Sequence, residues 1–134
     1  MQHATGTFEV KMTPEAGDMG GGDTLPTARM GLAKTFSGDL TGSATGTMLS
    51  IGRPQAGQAA AYVALDQVAG TLAGKRGGFV LVHRGTMSKA GGADLTIEIA
   101  PDSGTGELAG IAGTLAIEVK AGVHHYDLAY TLPR

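Results

Sequence analysis

The sequence predicts an all-β protein, a single closed barrel of eight antiparallel strands in up-and-down order. Apolar residues recur with period two along most of the chain, short stretches rich in Gly, Pro, Asp and Ser separate these segments, and none has the spacing of an amphipathic helix. Short turns between consecutive strands favour a barrel over a sandwich, because closure leaves no unpaired strand edge. A barrel of this size accommodates a small ligand or is filled by its own side chains.

The first predicted strand and the loop after it are defined by a change of composition. Strand 4–12 places Phe8 and Met12 on one face, and Pro14 ends it. The stretch 15–26 that follows is rich in Gly and contains too few apolar residues to be ordered by itself. We therefore expect a mobile loop there.

The next three predicted strands are 29–36, 39–51 and 59–72, and a tight turn at 37–39 joins the first two. Residues 42–47 are nearly all small, which lets another backbone or a ligand come close. Strand 59–72 is apolar on both faces, which predicts burial on both sides and favours a homo-oligomeric contact.

The second half of the chain continues the alternation after a Gly-rich turn at 74–78, and residues 102–110 are predicted to form a loop. The remaining predicted strands are 79–87, 95–99, 111–119 and 124–132. The eight strands make one domain, 1–134, which is the usual size for a single core.

Composition excludes several classes of protein. The net charge of −2 and the charged fraction of 16% argue against a nucleic-acid-binding face. The chain has no Cys, which excludes disulfides, thiolate metal sites and cysteine nucleophiles. Because it also lacks the pattern of a signal peptide and a long apolar stretch, we expect a cytoplasmic protein that does not bind membranes.

Eight segments carry a resemblance to known proteins: 4–10, 36–40, 46–50, 62–65, 70–72, 78–81, 83–87 (His-Arg-Gly-Thr-Met) and 101–110. Together they resemble a bacterial family of unknown function whose fold is similar to that of plant allene oxide cyclase. The resemblance spans almost the whole chain and is most specific in the last two segments. It implies an eight-stranded antiparallel barrel, but it does not imply an activity, because a fold alone does not define a function.

His83 is the first candidate for chemistry. It alternates with Phe79 and Leu81, so an imidazole enters the barrel if that face points inward, and we expect Phe79 and Leu81 to line a ligand site beside it. An imidazole there serves as an acid or base near neutral pH. The alternative is a core histidine hydrogen-bonded to a neighbouring strand. Arg84 faces the opposite way, which predicts a solvent-exposed charge.

Three tyrosines and one carboxylate complete the candidate site. The hydroxyls of Tyr62, Tyr126 and Tyr130 can orient a ligand carbonyl, although tyrosine at a barrel rim serves equally well in packing. Glu107 lies in the most family-like segment. It is the candidate for proton abstraction or for holding His83, provided that its loop folds over a barrel mouth.

We expect no metal and no organic cofactor. His124 and His125 are adjacent in a strand, so only one of them can reach an interior site. The chain contains neither a nucleophile elbow nor a phosphate-binding loop.

The leading hypothesis for function is a cyclase- or isomerase-like barrel that confines a small, mainly apolar molecule and acts on it with one or two polar groups. A noncatalytic barrel that carries such a molecule fits the same residues. A third hypothesis is an assembly module whose interior is filled by Met48, Met87, Leu115 and Leu128.

Overall fold

The computed structural model of the protein describes residues 1–16, 25–53 and 57–133, and the regular structure in this part of the chain is entirely β-strand. The strands are β1 (Gln2–Pro14), β2 (Thr27–Gly38), β3 (Leu40–Gly52), β4 (Ala60–Leu72), β5 (Lys75–Met87), β6 (Ala93–Ile99), β7 (Thr105–Gly106), β8 (Ala112–Lys120) and β9 (Val123–Thr131). The all-β class is confirmed. The eight long strands correspond to the eight that the alternation predicts.

The eight long strands close into a barrel. Each one is antiparallel to the next along the chain, and β9 returns to β1 with Ala4 opposite Leu128. The two-residue β7 lies outside this ring and pairs with Gly77 and Gly78 of β5. The predicted antiparallel up-and-down barrel is therefore confirmed.

One end of the barrel is closed and densely packed. The side chains of Leu40, Leu72 and Leu128 meet there and are fully buried. The segment between β6 and β8 runs across this end and inserts Leu108 and Ile111 into the same core. Burial of these apolar side chains stabilises the closed end.

The segment across the closed end also completes the hydrogen bonding of β5 where β6 does not reach. Ser103 Oγ accepts from Val80 N, and Thr105 Oγ1 accepts from Gly78 N, both at 3.0 Å. The carboxylate of Glu107 accepts from Arg76 N, also at 3.0 Å. Residues 102–110, predicted as a loop, thus include the short β7 and satisfy backbone groups that would otherwise lack partners.

The opposite end is more open. Met12 and Leu95 lie on the inward-facing alternation of β1 and β6, yet they are 51% and 50% exposed. The strands here extend beyond the last fully buried layer. Among the residues that the structure describes, the interior is therefore divided into a filled half and a half that remains accessible near its rim.

The prediction that 59–72 is buried on both faces is wrong. Asp66 and Val68 point into the barrel, whereas Val63 and Leu65 on the other face are 53% and 58% exposed. A barrel wall has one core face, and alternation sends every second side chain outward. The homo-oligomeric contact stays a prediction, for which Val63 and Leu65 supply an apolar surface.

The predicted turn at 74–78 is placed too late, because β5 already begins at Lys75. Ala73 and Gly74 make the turn, with φ of 47° and 84°. Gly77 lies within the strand. Glycine is required there because the backbone of Thr105 comes so close that a Cβ on Gly77 would lie 2.0 Å from the carbonyl oxygen of Thr105.

Most of the predicted loop at 15–26, namely residues 17–24, lies outside the described residues, so its mobility stays a prediction. The described part of the chain holds no helix of the length and apolarity needed to span a membrane. The cytoplasmic location also stays a prediction.

Candidate functional site: a buried polar cluster

Three ionisable side chains meet inside the barrel between its two halves. Lys34 of β2, Asp66 of β4 and His83 of β5 are 8%, 0% and 4% exposed. Lys34 Nζ donates to Asp66 Oδ2 at 2.6 Å, and His83 Nε2 lies 2.8 Å from the same oxygen. Buried charges are stable only when they are paired, and each member here supplies a partner for another.

The protonation of this cluster follows from its geometry. Burial raises the pKa of Asp66, but the hydrogen bonds from His83 and Lys34 and the electrostatic attraction of these groups outweigh burial, so the net shift is downward. Asp66 is therefore a carboxylate at neutral pH, and it accepts a hydrogen bond from Nε2 of His83. Nδ1 of His83 has no hydrogen-bond partner among the described residues, so it is a free acceptor in the neutral form of the ring.

The second carboxylate oxygen of Asp66 also lacks a hydrogen-bond partner among the described residues. Oδ1 is buried and accepts no hydrogen bond from the described residues. It lies against Gly46 of β3, where a Cβ would be 2.3 Å from it. The small residues at 42–47 predict the close approach of a backbone or a ligand. In the structure, the group that comes close to them is the carboxylate of Asp66. A larger residue at position 46 would displace Asp66.

Tyr62 lies next to this cluster. Its ring centroid is 6.5 Å from that of His83, and its ring covers Gly85, where a Cβ would be 2.3 Å from Cε1 of the tyrosine. Burial and the charge of Asp66 raise the pKa of Tyr62, so its hydroxyl is protonated at neutral pH. This hydroxyl has no hydrogen-bond partner among the described residues.

Methionine dominates the rim beyond the cluster. Four of the six methionines of the chain, Met12, Met30, Met48 and Met87, lie on the inward-facing alternation at the open end and are exposed or half-buried. Methionine side chains are flexible and apolar, and they adapt to ligands of different shape. The assembly hypothesis requires that all four of its residues fill the interior. Leu115 and Leu128 are buried, but Met48 and Met87 are only half-buried.

The other predicted ligand residues lie in the closed half. Tyr126 Oη accepts from Leu40 N at 2.9 Å and is within 3.0 and 3.1 Å of the carbonyls of Ser37 and Leu40. Tyr130 Oη donates to the side chain of Gln2 at 3.1 Å. Phe79 and Leu81 are buried in the main core. These hydroxyls are already engaged, so the structure brings only Tyr62 of the three tyrosines to His83.

Glu107 is not brought to His83. It is exposed at the closed end beside Arg76, and the six residue steps of β5 from Gly77 to His83 span about 20 Å. The carboxylate that holds His83 is Asp66 instead. Each of the two hypotheses for His83 describes part of the structure. The imidazole points inward, as the first requires, and it is hydrogen-bonded to a neighbouring strand, as the second requires. Arg84 is exposed, as predicted.

Sequence reasoning missed Lys34 and Asp66. Lys34 lies between Leu32 and Phe36 on an alternation that is otherwise apolar, and Asp66 precedes Val68 in the same way. A charged residue on the inward-facing register was the available signal. The signal does not identify the partners of either residue, because the two residues are far apart in the sequence and become neighbours only when β2, β3 and β4 are paired.

Two concavities lie elsewhere on the barrel. A groove of about 420 Å³ lies where β6 and β8 are joined only at Glu98 and Thr114, and it is lined by Leu95, Ile97 and Leu115 among others. A second, of about 310 Å³, lies near Pro26. Neither is lined by the three residues of the polar cluster. No cluster of three or more His, Asp or Glu side chains suited to a metal ion occurs in the described ranges.

Comparison with known proteins agrees with this architecture. Residues 4–130 match a family described as "Protein of unknown function (DUF3224)". A solved structure from that family, a protein of unknown function from Shewanella oneidensis, is 41% identical and has a TM-score of 0.91 over 100% of this chain and 99% of the other. No curated protein matches the sequence. The chain belongs to the DUF3224 family.

Proposed function

We propose that the barrel is a cofactor-independent isomerase that moves a proton on a small, mainly apolar carbonyl compound. The observation that carries this proposal is the arrangement of His83. Asp66 fixes its Nε2, its Nδ1 has no partner among the described residues, and the ring of Tyr62 lies 6.5 Å away between centroids, with a hydroxyl that the described residues also leave without a partner. A positioned base next to a positioned donor is the minimum required for enolisation.

The roles of the residues follow from what each can donate or accept. The hydroxyl of Tyr62 donates to the carbonyl oxygen of the substrate. Nδ1 of His83 takes a proton from the adjacent carbon, and the electrons of that C–H bond form the enolate, whose charge the tyrosine stabilises. Return of the proton at another carbon completes the isomerisation. Asp66 holds the ring and stabilises the imidazolium that forms in between.

The apolar part of the substrate is placed among the methionines of the open rim. This region offers contact area but no fixed shape, because each methionine has several accessible rotamers. Confinement there would keep the reacting carbon near His83, and such positioning supplies a large share of many rate enhancements.

The test is hydrogen–deuterium exchange in a simple ketone. Wild-type protein is incubated with 2-nonanone in deuterium oxide, and loss of the α-proton signals is followed by proton NMR. We expect exchange faster than in buffer. His83→Gln should lower the rate by about 100-fold or more, and Tyr62→Phe should lower it by a similar factor.

Arg84→Gln is the matched control, because Arg84 is adjacent to His83 but faces solvent. It should leave the exchange rate unchanged. Binding of 2-nonanone without exchange would replace the isomerase by the noncatalytic carrier. Absence of both would contradict the two small-molecule hypotheses and favour the assembly module.

A further inference from the structure

Lys34 and Asp66 form a buried ion pair with no net charge. Lys34 contributes one positive charge and Asp66 contributes one negative charge, and the same carboxylate oxygen also binds His83 Nε2. Lys34 is also the only buried lysine or arginine in the described part of the chain. The buried ammonium of Lys34 is therefore already neutralised by a contact of 2.6 Å with Asp66.

The remaining free atoms disfavour an anion. Asp66 Oδ1 is buried and has no partner among the described residues, and it can only accept. A carboxylate that entered the cluster would lose its hydration, would lie near the negative charge of Asp66, and would gain one donor from Tyr62. Burial of an unpaired charge is strongly unfavourable.

We propose that the barrel selects uncharged carbonyl compounds and rejects carboxylates, and that Asp66 determines this specificity by neutralising Lys34. The inference rests on the proposed function, since it assigns the substrate class of the same site. It also makes a directional claim. Removing the charge of Asp66 frees the ammonium of Lys34, which then becomes a carboxylate-binding group at the same place.

The experiment compares two probes of equal chain length, 2-nonanone and nonanoate, by titration calorimetry at pH 8. Wild type should bind the ketone at least about tenfold more tightly than the carboxylate. In Asp66→Asn the preference should invert, with nonanoate gaining about tenfold or more. Wild-type protein that binds nonanoate as tightly as 2-nonanone overturns the proposal, and so does an Asp66→Asn variant with an unchanged ratio.

The double variant Lys34→Met/Asp66→Asn is the matched control, because it removes both charges and leaves no unpaired ion. It should restore the preference for the ketone, and a double variant that still prefers nonanoate overturns the role of Lys34. If Asp66→Asn does not fold, as judged by circular dichroism, the wild-type ratio and the double variant still decide the matter.

The exchange assay separates this inference from the proposed function. Ketone-selective binding without exchange contradicts the isomerase and leaves the specificity intact. If nonanoate inhibits the exchange as strongly as another ketone does, the specificity is contradicted and the isomerase is left intact.

Discussion

The closed and open halves of the barrel are built from the same eight strands but are filled in different ways. In the closed half, leucines and the segment that carries Leu108 occupy the interior completely, and the hydroxyl of Tyr126 is engaged by backbone groups. In the open half, methionines line the rim, and the hydroxyl of Tyr62 has no partner among the described residues. The closed half satisfies its polar groups internally, whereas the open half retains groups that can bind something else.

The difference indicates that the two halves of the barrel have different roles. Packed, fully hydrogen-bonded regions contribute most to stability, whereas unpartnered polar atoms cost free energy and persist where a function uses them. The polar cluster of Lys34, Asp66 and His83 lies at the boundary between the two halves. Substitutions in the closed half should therefore change stability, and substitutions in the open half should change binding and exchange.

The largest effect is expected from Leu108→Ala. Leu108 is fully buried at the closed end, and loss of such a side chain creates a cavity that costs about 2–5 kcal/mol of unfolding free energy. Met48→Ala is the control at the open end, where the side chain is half-buried and the cost should be clearly smaller. Urea denaturation followed by circular dichroism measures both. Equal losses would contradict the division between the halves.

The same contrast explains what could be predicted from the sequence. Period-two alternation depends on neighbouring residues alone, so it located the eight strands and placed His83 on the same face as Phe79 and Leu81, without deciding which face points inward. The partners of His83 depend on strand register. Lys34 and Asp66 are 32 residues apart in the sequence. They bond across β3, which lies between their strands in the closed sheet. The backbone contacts of 101–110 were equally unpredictable, because the family resemblance identifies the segment and allows it to fold over a barrel mouth but does not indicate which groups of β5 it binds.

A smaller effect is expected from acid, and it concerns the boundary between the halves. The pKa of Asp66 is lowered in the folded protein, so its ionisation contributes stability above the unfolded value near 4, and this contribution is lost as the pH falls through the lowered pKa. The loss amounts to about 1.4 kcal/mol for each unit by which the pKa is lowered. Denaturation from pH 7 to pH 2 should show a shallower decline in Lys34→Met/Asp66→Asn than in wild type. Parallel declines would show that Asp66 does not contribute.

The smallest change in stability, and the sharpest contrast, is expected from two equivalent substitutions of tyrosine. Tyr126→Phe removes the acceptor of Leu40 N in the closed half and should cost about 1 kcal/mol, because a buried donor is left without a partner. Tyr62→Phe removes a hydroxyl that has no partner among the described residues, so stability should stay within about 0.5 kcal/mol of wild type. Ketone exchange should respond in the opposite order, with Tyr62→Phe strongly reduced and Tyr126→Phe retained. If Tyr62→Phe instead destabilises the fold and leaves exchange unchanged, its hydroxyl serves packing, and the open half has no donor for a carbonyl.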